Sequence, residues 1–170
     1  MELRLITEGE FRSSRYGSLA DQIEGRLSTL IEQAESYIES RVDRILSATE
    51  YTEYPDVGRV TLFMRQSPII SVEEIRIDGR VIDPTKYVIE SGTGTIQMDY
   101  EPRGRVRVKY TAGYEPIPPI IKAATIQQTA YFAYQDFEIY GSGDGEPPGI
   151  IYFQEEVNKL IAPYKRKSLV

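Results

Sequence analysis

An α+β fold follows from two changes in apolar spacing along the 170-residue chain. A three-to-four-residue period runs to about residue 47, a period of two occupies about 51–114, and a helical period returns after Pro118. This predicts an antiparallel β module of about five to six short strands, inserted between a long N-terminal helix and C-terminal helices. The chain is expected to be one domain over 1–170. Its parts are a helical segment over 1–50, the β insertion over 51–114, a helical segment over 115–162 and an extended tail over 163–170.

In the first segment Leu19, Ile23, Leu27, Leu30, Ile31, Ala34, Ile38, Val42 and Ile45 form one stripe, with Glu24, Glu32, Glu35, Glu39 and Asp43 turned away. Ser18 is the predicted N-cap, with Asp21 in capping-box position. An unbroken helix over 19–47 would be about 42 Å long. Upstream, Thr7 and Glu10 predict a second cap and a short helix ending near Gly17.

In the β segment, Ile96, Met98 and Tyr100 alternate with polar residues, as do Val106, Val108 and Tyr110. Glu101-Pro102-Arg103-Gly104 between them suits a type I turn, so Thr95–Tyr100 and Arg105–Thr111 are expected to pair as a hairpin. Ile75–Ile77 and Val81-Ile82 flank Asp78-Gly79, the signature of a two-residue hairpin turn. Val60–Met64 and Tyr87–Ile89 are further short strands.

Pro118 and Pro119 suit a first helical turn, and a helix is predicted to about Phe137. No residue from Ala123 through Gln135 is charged, so this helix is expected to be covered on more than one face. The long first helix must also bury its stripe, so the two helical segments are expected to pack on each other. Gly141–Gly149, with four glycines and two prolines, is a predicted loop. A last short helix, about Phe153–Ile161, precedes Pro163 and the tail.

The composition excludes much chemistry. Without Cys, His or Trp there is no disulfide, no thiolate or imidazole metal ligand, no Cys nucleophile and no Ser-His-Asp triad. No catalytic residue, metal or cofactor is expected. No apolar run reaches the roughly 18 residues of a membrane helix and no signal-peptide pattern opens the chain, so a soluble intracellular protein is expected.

Charge is unevenly placed. Arg103, Arg105, Arg107 and Lys109 sit on one strand face, and Lys165, Arg166 and Lys167 lie in the tail. Segments 103–109 and 163–170 hold +7 and no acid; with −6 overall, the other 155 residues carry −13. An acidic body with compact basic patches is a poor general nucleic-acid binder and better suited to acidic protein partners, including copies of itself. A solvated strand face is the plainer account of the first patch. The tail, ending in Leu169 and Val170, has the character of a segment that orders on docking.

Paired carboxylates are the one catalytic device left. Glu73 with Glu74, Asp99 with Glu101, and Asp136 with Glu138 are the pairs, and surface solvation is the simpler explanation of each. The Gly-Ser-Gly-Asp-Gly-Glu stretch at 141–146 lacks the pattern of a phosphate or calcium loop. Thirteen tyrosines are more informative. Tyr131, Phe132, Tyr134, Phe137, Tyr140, Tyr152 and Phe153 gather around the last two helices, as core or as a self-association surface.

One stretch carries a family resemblance. It runs from Ser67-Pro68-Ile69-Ile70-Ser71-Val72-Glu73-Glu74-Ile75 through Asp78-Gly79 and Tyr87 to Val106-Arg107-Val108-Lys109-Tyr110-Thr111-Ala112-Gly113-Tyr114. Pro116, Pro118, Pro119 and Ile121-Lys122-Ala123-Ala124 follow. Together with Leu5-Ile6-Thr7-Glu8 at the start, this resembles the head–tail connector (adaptor) proteins of tailed double-stranded DNA phages, over about residues 3 to 137. The resemblance implies a structural protein that is made in the host cytoplasm and works in the virion neck. About twelve copies would form a ring under the portal, joining capsid to tail and continuing a DNA channel without binding DNA specifically. Further partners would be the portal and a tail-side neck or tail terminator protein, with no membrane involved.

It also implies that the C-terminal helix and tail grip the portal, here through Tyr164, Lys165, Arg166, Lys167, Leu169 and Val170. For subunit contacts, the charge pattern pairs Arg103, Arg105, Arg107 and Lys109 of one copy with Glu32, Glu35 and Glu39 of the next. The competing expectations are a carbohydrate- or protein-binding β module of a tail or baseplate, and a carboxylate-dependent hydrolase.

Overall fold

The structure, a computed structural model, describes residues 4–23, 25–140 and 150–166, with the side chains of 136–140 and 150–152 left aside. The chain divides into two compact units: a helical one, residues 1–44 with 117–170, and a β unit, residues 45–116.

In the helical unit, α1 spans Glu8–Arg12, α2 Gly17–Gln22 and α3 Leu27–Val42. Helix α4 spans Pro119–Tyr140 and α5 Ile150–Ile161, followed by a 3-10 turn at Ala162–Tyr164. The predicted capping box is present at α1: Thr7 Oγ1 accepts the Glu10 N–H, and the Glu10 carboxylate accepts the Thr7 N–H at 2.7 Å. The expected single helix over 19–47 is broken. Helix α2 stops at Ile23, and Gly25 takes a left-handed φ of 79° before α3 begins. Ser18 is not the cap; Tyr16 occupies that position without a side-chain bond, and Gly17 opens a helix instead of ending one.

The break does not disturb the stripe. Ile23 and Leu27 keep four-residue spacing across it, and Leu19 through Val42 are buried as predicted. The other correction is at the far end. Asp43 adopts φ 55° and terminates α3 as its left-handed cap, so the chain turns early. Ile45 is left 38% exposed, while Leu46 is buried instead.

Helix α3 packs on α4, and α4 on α5. Ile121, Ala124, Thr125, Gln128, Thr129, Ala130 and Ala133 of α4 are all buried. Its small residues admit neighbours closely, and its buried hydroxyls satisfy themselves by donating one turn back, Thr125 to Ile121 O and Thr129 to Thr125 O. The expectation that this uncharged helix is covered on several faces therefore holds. The predicted loop at Gly141–Gly149 lies outside the described residues.

The β unit holds seven strands: β1 Thr49–Glu53, β2 Thr61–Phe63, β3 Ile69–Ile77, β4 Arg80–Val81, β5 Tyr87–Glu90, β6 Thr95–Met98 and β7 Val106–Ala112. They form two antiparallel sheets, ordered β1-β7-β3-β4 and β2-β6-β5. The Asp78-Gly79 hairpin is as predicted: Ile77 pairs with Arg80, and both turn residues have positive φ, 49° and 82°. The other expected hairpin does not exist. Strands β6 and β7 belong to different sheets; β6 pairs with β2 and β5, and β7 with β1 and β3. Their inward faces share one core. Leu62, Ile96 and Met98 from one sheet pack with Ile75, Val106, Val108 and Tyr110 from the other.

Candidate assembly surfaces

The basic strand face is held by its neighbours. Alternation along β7 buries Val106, Val108, Tyr110 and Ala112 and turns Arg107 and Lys109 to the opposite side. Register then sets Arg107 directly opposite Arg76 of β3, a like-charge pair that is unfavourable by itself. Glu74 relieves it. One carboxylate oxygen accepts from Arg107 at 2.6 Å and the other from Arg76 at 2.7 Å, and these two guanidiniums, Arg76 first, hold the carboxyl down to about 2. Lys109 pairs with Glu50 of β1 at 2.8 Å, which raises its pKa.

Arg103 and Arg105 lie before the strand begins and are exposed. Arg105 stacks its guanidinium 4.4 Å from the centre of the Tyr54 ring. Its backbone N–H donates to Asp78 Oδ1 at 2.8 Å, and the Asp78 N–H donates to Arg105 O at 3.0 Å. The segment is therefore clamped to the β3–β4 turn. The structure thus divides the four predicted basic residues: Arg107 and Lys109 are neutralised within the chain, and Arg103 and Arg105 face outward. Arg76 was not anticipated, and Glu74 was singled out only as a carboxylate beside Glu73, although the i, i+2 spacing of Glu74 and Arg76 on one strand face carries the signal.

The predicted acidic surface of α3 is divided in the same way. Glu35 is turned to its own unit, where Oε1 accepts the Leu5 N–H at 2.7 Å and the Ile6 N–H at 3.3 Å. Burial pushes its carboxyl up, against the pull of those two amides. Glu32 is exposed and pairs with Arg4, and Glu39 lies on the same helix.

In the tail, the Arg166 N–H donates to Val42 O at 2.9 Å and its guanidinium lies 3.7 Å from Asp43, fastening the chain to the end of α3. Tyr164 closes the 3-10 turn and Lys165 is exposed. Lys167, Leu169 and Val170 lie outside the described residues.

Aromatic residues near α4 and α5 pack inside the helical unit. Phe132 meets Tyr37 edge-on at 6.0 Å, and Phe153 lies 6.1 Å from Tyr134 and 5.8 Å from Tyr16. Phe132, Tyr134 and Phe153 are thus partly buried against the core of the helical unit, and the side chains of Phe137, Tyr140 and Tyr152 lie outside the described residues.

Of the acidic pairs, Glu73 and Glu74 are each committed to other partners. Glu73 accepts from Ser71 and Thr111 hydroxyls, while Glu74 serves the two arginines. Glu10, Glu74 and Asp83 are all held below the usual carboxylate range by hydrogen bonds, the reverse of what a general acid needs. The side chains of Asp136 and Glu138 lie outside the described residues. No helix among the described residues is long and apolar enough to cross a membrane.

The profile of the head completion proteins matches residues 4–166, nearly the whole chain. The chain belongs to the head completion protein family. Its role is accordingly structural, that of a head–tail connector in a phage-like particle. Solved structures agree on the fold. The chain is similar to one in the neck of a native GTA particle computed with C12 symmetry, with a TM-score of 0.61 at 17% identity over 100% of this chain and 98% of that one. It is similar also to one in the neck of an empty GTA particle computed with C6 symmetry, with a TM-score of 0.63 at 17% identity over 98% and 92%. No curated protein matches it closely enough in sequence to count as a relative. The connector resemblance over about residues 3 to 137 thus leads to the same family. Gly113 of that stretch has a structural duty. At φ 122° it passes so close to Ser47 O that a Cβ would collide with it, while its N–H donates to Pro68 O at 2.9 Å.

Proposed function

We propose that this head completion protein is a ring-forming brick of the virion neck, with no reactive centre. About twelve copies close a ring under the portal, join capsid to tail and continue the DNA channel. The observation that carries this is end-to-end similarity to a chain from a neck computed with C12 symmetry, covering 100% of this protein. A net charge of −6 supports a lumen wall that DNA slides past without sticking.

A head-to-tail ring needs unlike, complementary flanks on each copy. The outward-facing Arg103 and Arg105 supply the basic one, backed by Arg107 and Lys109 behind their internal ion pairs. On the acidic flank Glu32 and Glu39 of α3 are the contributors, and Glu35 acts indirectly by pinning Leu5 and Ile6 beside them. Tyr164, Lys165, Arg166, Lys167, Leu169 and Val170 form the end that grips the portal, launched from the α3 terminus by the Arg166 backbone bond to Val42. A tail-side neck protein or tail terminator is the partner on the other side.

Native mass spectrometry of the purified protein, alone and mixed with its portal, tests the reading. A closed oligomer of about twelve copies on the portal is expected. A protein that stays monomeric and unbound with portal in excess removes it.

A further inference from the structure

We propose that Arg76, Arg105 and Arg107 form a receptor for a carboxylate side chain from a second copy of this chain, an inference that rests on the ring reading above. With Tyr54, Asp78 and Gly79 they line a cavity of about 280 Å³ within the β unit. Most surface arginines on a strand face are merely solvated. These three are built in. Register places Arg76 against Arg107, Glu74 supplies one oxygen to each, and the Tyr54 ring and the Asp78 backbone clamp position Arg105.

The set is short of acceptors. Among the described residues Arg105 makes no ion pair through its guanidinium, which stacks on the Tyr54 ring instead. The Asp78 carboxylate is engaged by the Arg105 backbone N–H. Three guanidiniums therefore face two carboxylates, those of Glu74 and Asp78, and the cluster keeps one positive charge in excess. Each guanidinium offers a planar fork of N–H donors that matches a carboxylate.

Size and sign select the occupant. A cavity of about 280 Å³ with a single positive charge in excess suits one carboxylate side chain better than a stretch of nucleic acid, which needs a broad basic surface. The 155 residues outside the two basic segments carry −13, so a second copy has carboxylates in abundance. In a head-to-tail ring the pocket on one flank meets the opposite flank of the next copy, and a carboxylate seated among three arginines would set the register between copies.

The test uses Arg105→Lys in the full chain, which keeps the charge and introduces an amine. Isotopically heavy and light copies are mixed, assembled on the portal and treated with a zero-length carbodiimide. The expected product joins the introduced amine to an Asp or Glu of the other isotope. Arg105→Ala, a change at an exposed side chain, is expected to raise the concentration for half-assembly about tenfold or more. Rings whose introduced amine couples only within its own copy, only to the portal or to nothing overturn the receptor while leaving the ring reading intact. So does wild-type assembly by Arg105→Ala. A wild-type chain that forms no ring removes both.

Discussion

Lys122 Nζ lies 2.6 Å from Glu10 Oε1, joining the first turn of α4 to α1 across 112 positions of sequence. The same Glu10 carboxylate closes the α1 capping box, so one side chain caps the start of a helix and ties it to another. Lys122 foremost, then the Thr7 amide, hold its pKa below the ordinary value.

Because that folded-state pKa is depressed, the pair's contribution is complete above the unfolded value of about 4.3 and is lost as pH falls through the lower folded value. Both side chains are more than a third exposed, so water screens the pair and Lys122→Met should cost about 0.2–1 kcal/mol at pH 7. In urea titrations the gap between the two proteins should narrow as pH falls from 7 through the carboxylate range; an equal gap at pH 7 and at the acid end would contradict the assignment.

Glu74 should titrate near 2 in the folded protein. Its contribution to stability is present above about 4.3 and disappears as pH falls toward 2. Arg107→Ala should move the carboxyl part of the way back, leaving Arg76 as its remaining partner. Carbon-13 titration of the Glu74 side chain measures this directly, and a wild-type midpoint near 4.3 would show that the bridge does not persist in solution.

Gly113→Ala should destabilise the β unit by about 1–3 kcal/mol through its left-handed backbone, with the collision at Ser47 O in addition. Gly92→Ala is the matched control. A Cβ there meets nothing within 4 Å, so the change should stay within about 0.5 kcal/mol. Similar melting curves for the two variants would refute the role given to Gly113.

On the proposed gripping role of the tail, removal of residues 167–170 should abolish portal binding without lowering thermal stability, since the Arg166 bond to Val42 is retained. Portal pull-down at undiminished strength by the shortened chain would eliminate the gripping role of the tail.

Local chemistry made much of this protein legible. The Thr7–Glu10 box, the Asp78-Gly79 turn and the buried stripe from Leu19 to Val42 all depend on residues a few positions apart. Their spacing therefore carries the whole message. Reading failed where a single backbone angle or a distant partner decided. Gly25 and Asp43 cut the expected long helix at both ends, because a left-handed φ breaks a helix without disturbing the periodicity around it. Alternation identified β6 and β7 as strands but could not name their partners, since either sheet would accept the same inward apolar face. The basic strand face was likewise visible as composition. Only the register of β3 against β7 brought Arg76 opposite Arg107 and let Glu74 bridge them. Charge pairing over long sequence distances is fixed by tertiary contacts, and no local pattern encodes it.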